Sequence, residues 1–135
     1  MFGALDTSAS GLVAQRVRME TIAANMANTN SVFDAEGRVN PYRRRIAIFG
    51  EGDPATGKAD GVHVREILLD QSPLRKVWEP GHPADIDGDG YVEMPNIDNT
   101  TETINALEAA RAYEANVTAA QATKQMIQAG LKLLA

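Results

Sequence analysis

Apolar residues recur along the last third of the chain, Asn99 to Ala135, at intervals that only a long helix places in line. Ala106, Tyr113, Ala120, Ile127 and Leu134 stand seven apart, and Ala110, Val117 and Leu131 fill the adjoining track, which is the spacing of a coiled-coil or bundle seam. A second stretch, Leu5 to Asn28, repeats the pattern: Leu12, Met19 and Met26 follow Leu5 at the same interval, and Ala9, Ile22 and Ala23 widen the stripe. Asp6, Thr7 and Ser8 offer side-chain acceptors for the free amides of a first turn, predicting a start there. Asn25, Asn28, Thr29, Asn30 and Ser31 compete with the helical backbone and predict an end. The helix between would be roughly 34 Å long. At the other end, Asn99 with Glu102 three residues on predicts a capping box, opening a helix of roughly 54 Å that Gly130 alone weakens.

Between the stripes the texture changes. All six prolines and most of the eleven glycines fall here, and apolar residues come in short runs. Tyr42 to Phe49 and Gly61 to Leu69 have the length and β-branched content of strands, and Leu74 to Trp78 and Gly90 to Met94 are shorter candidates. Gly50 to Gly61 and Glu79-Pro80-Gly81-His82-Pro83 read as breakers. Too few large apolar residues lie here for a substantial core, so this part is expected to lean on the helices or on neighbours. The pattern predicts an α+β protein. Residues 1–30 and 99–135 form a discontinuous helical core, an antiparallel coiled-coil hairpin, and residues 31–98 a small β-rich, loop-rich insert.

Size and composition narrow the classes. A chain of 135 residues, 44% hydrophobic and 23% charged, has the content of one soluble globular domain. No run approaches the roughly 18 to 20 apolar residues of a membrane span. A net charge of -5 argues against nucleic acid, whose phosphates need a basic face. Arg43, Arg44 and Arg45 form the one basic cluster, read as a solvated strand face or an ion-pairing edge. With no cysteine, a disulfide framework, thiolate site or thiol nucleophile is excluded. The N-terminus, Met1 to Asp6, lacks the form of a secretory signal.

Candidate chemistry is sparse. Asp85-Ile86-Asp87-Gly88-Asp89-Gly90 matches the opening of an EF-hand loop. Position twelve, however, is Asn96 rather than a bidentate Glu, and Pro83 and Pro95 occupy the flanks where helices belong. A polar turn between short strands is the preferred reading, and a small cation-binding regulatory module is the rival function. His63 and His82 are the only histidines and sit beside no nucleophile elbow. The glycines match neither GxGxxG nor GxxxxGK[ST]. No cofactor and no catalytic residue is predicted. Trp78 is either packing or an interface anchor. Arg111 and Glu114, beside Tyr113, either set partner choice or are solvated.

Some segments also carry a family likeness. Ala23-Ala24-Asn25-Met26-Ala27-Asn28-Thr29 and Ala112-Tyr113-Glu114-Ala115-Asn116 resemble the paired terminal motifs of bacterial flagellar axial proteins, the rod and hook group. Asn40-Pro41-Tyr42-Arg43, Trp78 to Pro83, and Gly90-Tyr91-Val92-Glu93-Met94-Pro95-Asn96-Ile97-Asp98 are similar to the proximal-rod members of that group. The likeness runs in order over essentially the whole chain. It implies a non-enzymatic building block of the rod, the shaft joining the membrane ring to the hook. It further implies export through the flagellar type III apparatus without a cleaved signal, and terminal helices that pair and pack with neighbouring subunits around the export channel. Leu5, Leu12, Met19, Ile22, Met26, Tyr113, Val117, Ile127, Leu131 and Leu134 are the expected subunit interface. Helix is marginal without tertiary packing, so the termini of free subunits are expected to order on polymerisation.

Overall fold

The computed structural model describes residues 2–135. Helix α1 spans Phe2–Ala27, strands β1 Arg45–Asp53 and β2 Lys58–Leu69 form one antiparallel pair, β3 Arg75–Trp78 and β4 Tyr91–Met94 a second, and helix α2 spans Asn99–Leu134. The architecture is α+β, two long terminal helices with two small sheets between them.

Both helix starts differ from expectation for physical reasons. The described helix already runs at Phe2, and within it the Thr7 hydroxyl donates back to the Gly3 carbonyl at 2.8 Å and Ser10 to Thr7 at 2.7 Å. These side chains decorate a formed turn instead of capping one. In α2 the cap is Asp98, whose carboxylate accepts from the Thr100 and Thr101 amides. Glu102 does not close a capping box, since its carboxylate is drawn inward to Arg44 and Asn25. The end of α1 falls in the Asn-rich cluster, where the Asn28 amide side chain takes the Ala24 carbonyl at 2.8 Å.

β1 begins at Arg45, later than the apolar pattern suggests, because the preceding amides are engaged elsewhere: Tyr42 N donates to Ser31 O and Arg44 N to the Asn96 side chain. A register shift between Ile48 and Phe49 interrupts the two-residue alternation, and the ladder continues to Asp53 opposite Lys58. The glycine-rich segment therefore tightens into a hairpin turn over residues 54–57, where the Asp53 carboxylate accepts from Ala55 N and the Thr56 hydroxyl. The Thr56 hydroxyl, then the Ala55 amide, hold the Asp53 carboxyl below the usual range.

Helix α1 is the central element, with one face on α2 and another on the β1–β2 hairpin. Asn25 meets Glu102, Arg18 meets Glu108, and Gly11 faces Asn116, so residue numbers fall along one helix as they rise along the other. The β3–β4 pair has its own cluster of Val32, Ala84, Val92 and Met94, flanked by Val39 and Val77. The middle of the chain thus divides its support. The β1–β2 hairpin leans on a helix, as anticipated, while β3–β4 closes over apolar residues of its own.

Candidate assembly interface and the polar junction at its base

The two heptad tracks read from α2 flank the buried line. The residues most covered in α2 are Glu102, Ala109 and Thr123, and Asn116 stands one heptad beyond Ala109 facing Gly11. A Cβ on Gly11 would lie 2.8 Å from the Asn116 amide nitrogen. With Ala14 and Ala109 at 1% and 0% exposure, the helices approach on small residues, and the large ones sit at the rims. Of the expected interface, Ile22 is buried. Leu5, Leu12, Met19, Tyr113, Val117 and Ile127 are half-buried, and Met26 is exposed. Leu131 is 61% and Leu134 87% exposed. Extending the Gly11–Asn116 and Asn25–Glu102 pairing places Phe2 opposite about residue 125, so the last nine or so residues of α2, roughly 13 Å, project past α1. Met126, Leu131, Leu133 and Leu134 are exposed on that projection.

At the opposite end the helices are fastened by hydrogen bonds. Asn25, fully buried, donates to Arg45 O at 2.8 Å and to Glu102 Oε2 at 3.0 Å, and its Oδ1 accepts from Arg45 N at 2.9 Å and the Tyr42 hydroxyl at 3.4 Å. Glu102, also fully buried, takes the Arg44 guanidinium at 2.5 Å on its other oxygen, and Arg44 reaches Asp70 at 3.5 Å. Asn96 accepts from Arg44 N and donates to Asp70 O and Ser72 O. Arg75 donates to Pro95 O at 2.9 Å and Thr29 O at 3.4 Å, and Thr29 reaches Asn99. The Ser72 hydroxyl, then its amide, and Arg44 hold the Asp70 carboxyl below its usual range. A buried ionised pair survives only when its remaining lone pairs are satisfied, and here both Glu102 oxygens have partners.

The junction gathers motif residues far apart in sequence: Asn25, Tyr42 and Asn96, with Pro95 buried alongside. Sequence reasoning missed Glu102 as a buried acid, and with it Asp70 and Arg75, while for Arg44 the ion-pairing alternative holds. The available signal was position, since Glu102 lies one heptad before Ala109 on an alanine-rich face. The three arginines are an internal fastening: Arg43 donates to Asp70 O and Ser72 O, and Arg45 stacks over Tyr42 at 5.2 Å. Arg111 and Glu114 are exposed, and the ion pair across the helices is Arg18–Glu108 at 3.3 Å.

The remaining motif residues shape β3–β4. Pro80 and Gly81 are the central pair of a turn closed by His82 N to Glu79 O, with Gly81 at φ 83. Met94 belongs to the small core. Trp78 packs edge-on against Tyr91 at 4.9 Å and is 59% exposed, resting over Gly90 rather than against a helix. His82 stacks on Phe33 and its Nδ1 accepts from Ala84 N, while His63 Nδ1 bonds with Gly52 O. In the acidic loop, Asp85 spends both oxygens on backbone amides, those of Gly88 and Gly90, and Asp89 accepts from Tyr91 N. The loop links two strands and is a self-bonded turn. Among the described residues no three His, Cys, Asp or Glu side chains converge to hold a metal ion, and no helix is long and apolar enough to cross a membrane.

Comparison with known proteins finds family matches at both terminal stretches. The family described as flagella basal body rod protein matches residues 5–32, and that described as flagellar basal body rod FlgEFG protein C-terminal matches residues 89–133. The flagellar basal-body rod protein FlgC of Yersinia enterocolitica is 39% identical over 128 residues, covering 95% of this chain and 93% of the relative. The protein of the same name from Bacillus subtilis is 37% identical over 146 residues, covering 98% and 97%. That of Borreliella burgdorferi is 35% identical over 150 residues, covering 99% and 97%. At such identity over nearly the full length of both partners, the chain belongs to the FlgC family of flagellar basal-body rod proteins.

Proposed function

We propose that this chain is a structural subunit of the bacterial flagellar rod that acts by assembly and not by catalysis. It joins other axial proteins in the shaft that transmits torque and encloses the export channel. The observation that carries the reading is the projecting end of α2, a helix pinned at its base by a buried ionic junction and carrying exposed Leu131, Leu133 and Leu134 at its tip. Each large side chain buried there by a neighbour contributes about 1.5–3 kcal/mol. In this reading residues 1–30 and 99–135 form the antiparallel coiled-coil core and 31–98 the insert. Leu5, Leu12, Met19, Ile22, Met26, Tyr113, Val117, Ile127, Leu131 and Leu134 meet neighbouring subunits. Asn25, Asn28, Tyr42, Pro80, Gly81, Tyr91, Met94, Pro95, Asn96, Glu114 and Asn116 are the motif positions that set the subunit's shape.

Family membership supports assembly with other rod proteins; in this reading the further partners are other copies of the chain, the rod–membrane ring junction, and the flagellar type III export apparatus, which delivers the subunit without a cleaved signal. The working place is the rod where it crosses the periplasm. Neither nucleic acid nor insertion into the bilayer enters the mechanism. Leu131→Asp or Ile127→Asp tests it. Rod formation and motility should be lost while circular dichroism of the purified subunit is unchanged. Motility retained with either substitution would refute the assignment of the α2 end.

A further inference from the structure

A groove of about 620 Å³ lies between the N-terminal half of α1 and the tip of the β1–β2 hairpin. Val13 and Val17 of α1 and Val62 and Val64 of β2 supply apolar walls, and Val13 is 54% exposed. Asp6, Asp53 and Asp60 also line it, against a single cation, Lys58. The projecting end of α2 has the complementary character: apolar Met126, Leu131, Leu133 and Leu134, with Lys124 and Lys132 and no acidic side chain from residue 115 onward. A chain cannot fill its own groove. Val13 lies opposite about residue 114 of α2, so Leu131 stands roughly 25 Å further along a continuous helix.

We propose that the groove between α1 and the β1–β2 hairpin receives the projecting α2 end of a second copy of this chain. The inference deepens the assembly reading and rests on it, naming the surface that the α2 tip meets. The contact is heterologous, tail of one copy to groove of the next, so it adds further copies into a ring or an open array instead of closing a two-fold dimer. Apolar contact supplies the affinity, and the lysine–aspartate pairing sets which end enters.

The absence of native cysteine makes the test direct. Full-length Val13→Cys and Leu131→Cys chains, tagged to differ in mass, are mixed and mildly oxidised. The mixed disulfide should exceed either like-with-like product several-fold. A Val13→Cys/Leu131→Cys double variant should give a ladder of linked oligomers instead of an internal loop. Lys132→Glu should weaken self-association about two- to fivefold, and adding Asp60→Lys should restore it, with circular dichroism checking the fold of each variant. Like-with-like crosslinks alone, an internal loop in the double variant, or a chain that stays monomeric at every concentration would each overturn the proposal. Any of these, with Leu131→Asp still blocking rod formation in cells, would sink the groove assignment and leave the assembly reading standing. Rod formation surviving Leu131→Asp would sink that reading too.

Discussion

Replacing Asn25 by Ala should be among the most damaging single changes in the chain. Its side chain makes four hydrogen bonds at zero exposure, two of them exchanged with the backbone of Arg45. Truncation leaves the Arg45 N–H, the Arg45 carbonyl and one Glu102 oxygen without these partners where little water can replace them. Each buried group left unmatched costs about 1–3 kcal/mol, more when charged, and relaxation of the surroundings recovers part. The expected loss is about 3–5 kcal/mol, a large fraction of the roughly 5–15 kcal/mol typical of a domain. In a chain of this size that corresponds to a fall of about 10–20 °C in melting temperature. Urea unfolding followed by far-ultraviolet circular dichroism measures it. Asn25→Asp separates lost hydrogen bonding from electrostatics. It sets a second carboxyl where the amide nitrogen stands 3.0 Å from Glu102, so one of the pair must keep a proton. The folded state then binds a proton that the unfolded state releases, and this variant should regain stability as pH falls toward the carboxylate range. A loss below about 1 kcal/mol for Asn25→Ala, or an Asn25→Asp chain as stable as the parent at neutral pH, would refute the reasoning.

Three further outcomes are expected. Gly11→Leu should cost about 1–3 kcal/mol by overpacking the helix contact, since even a Cβ there meets Asn116 at 2.8 Å; adding Asn116→Ala should recover much of the loss in chemical denaturation. Gly90→Ala should loosen β3–β4, because φ is 82 and the new Cβ would stand 2.5 Å from the Trp78 ring, and the change in Trp78 fluorescence reports it. The Thr101 hydroxyl, then the Thr100 and Thr101 amides, hold the Asp98 carboxyl below its ordinary 3.8. That stabilisation is present above 3.8 and lost as pH falls through the lowered folded value. The difference in urea midpoint between parent and Asp98→Ala should therefore be open at neutral pH and close on acidification.

The helices and four strands were legible because their signals are local and repetitive. Leu5 to Asn28 and Asn99 to Ala135 keep a heptad over many turns, and the breakers at Pro54, Pro80 and Gly81 separate the strands. Which track of α2 lies against α1 was not legible. Heptad reasoning weights large apolar residues, and here the closest approach falls on Gly11, Ala14 and Ala109, which leaves Val117 and Ile127 at the rims. The α1 start was misplaced because Thr7, read with Asp6 and Ser8 as a cap, can equally bond back along a formed helix. Glu102 read as a cap on local grounds, while its partners Arg44 and Asn25 stand 58 and 77 residues away in sequence. A pairing of that kind shows only when the chain has folded back on itself.

Among the described residues the apolar cluster of β3–β4 takes in no helix residue, and beside the buried Pro95 and Ile97 the unit is tied to the helices by hydrogen bonds through Asn96, Arg44, Arg75 and the Pro95 carbonyl. Such bonds weaken steeply with angle and are gone within about an ångström of stretch, whereas apolar surfaces can slide while still touching. The elbow of this subunit, held by directional bonds, is accordingly expected to be more brittle than its helical limb. A load applied at Trp78 is expected to reach the base of α2 through these bonds and to break them before the limb bends.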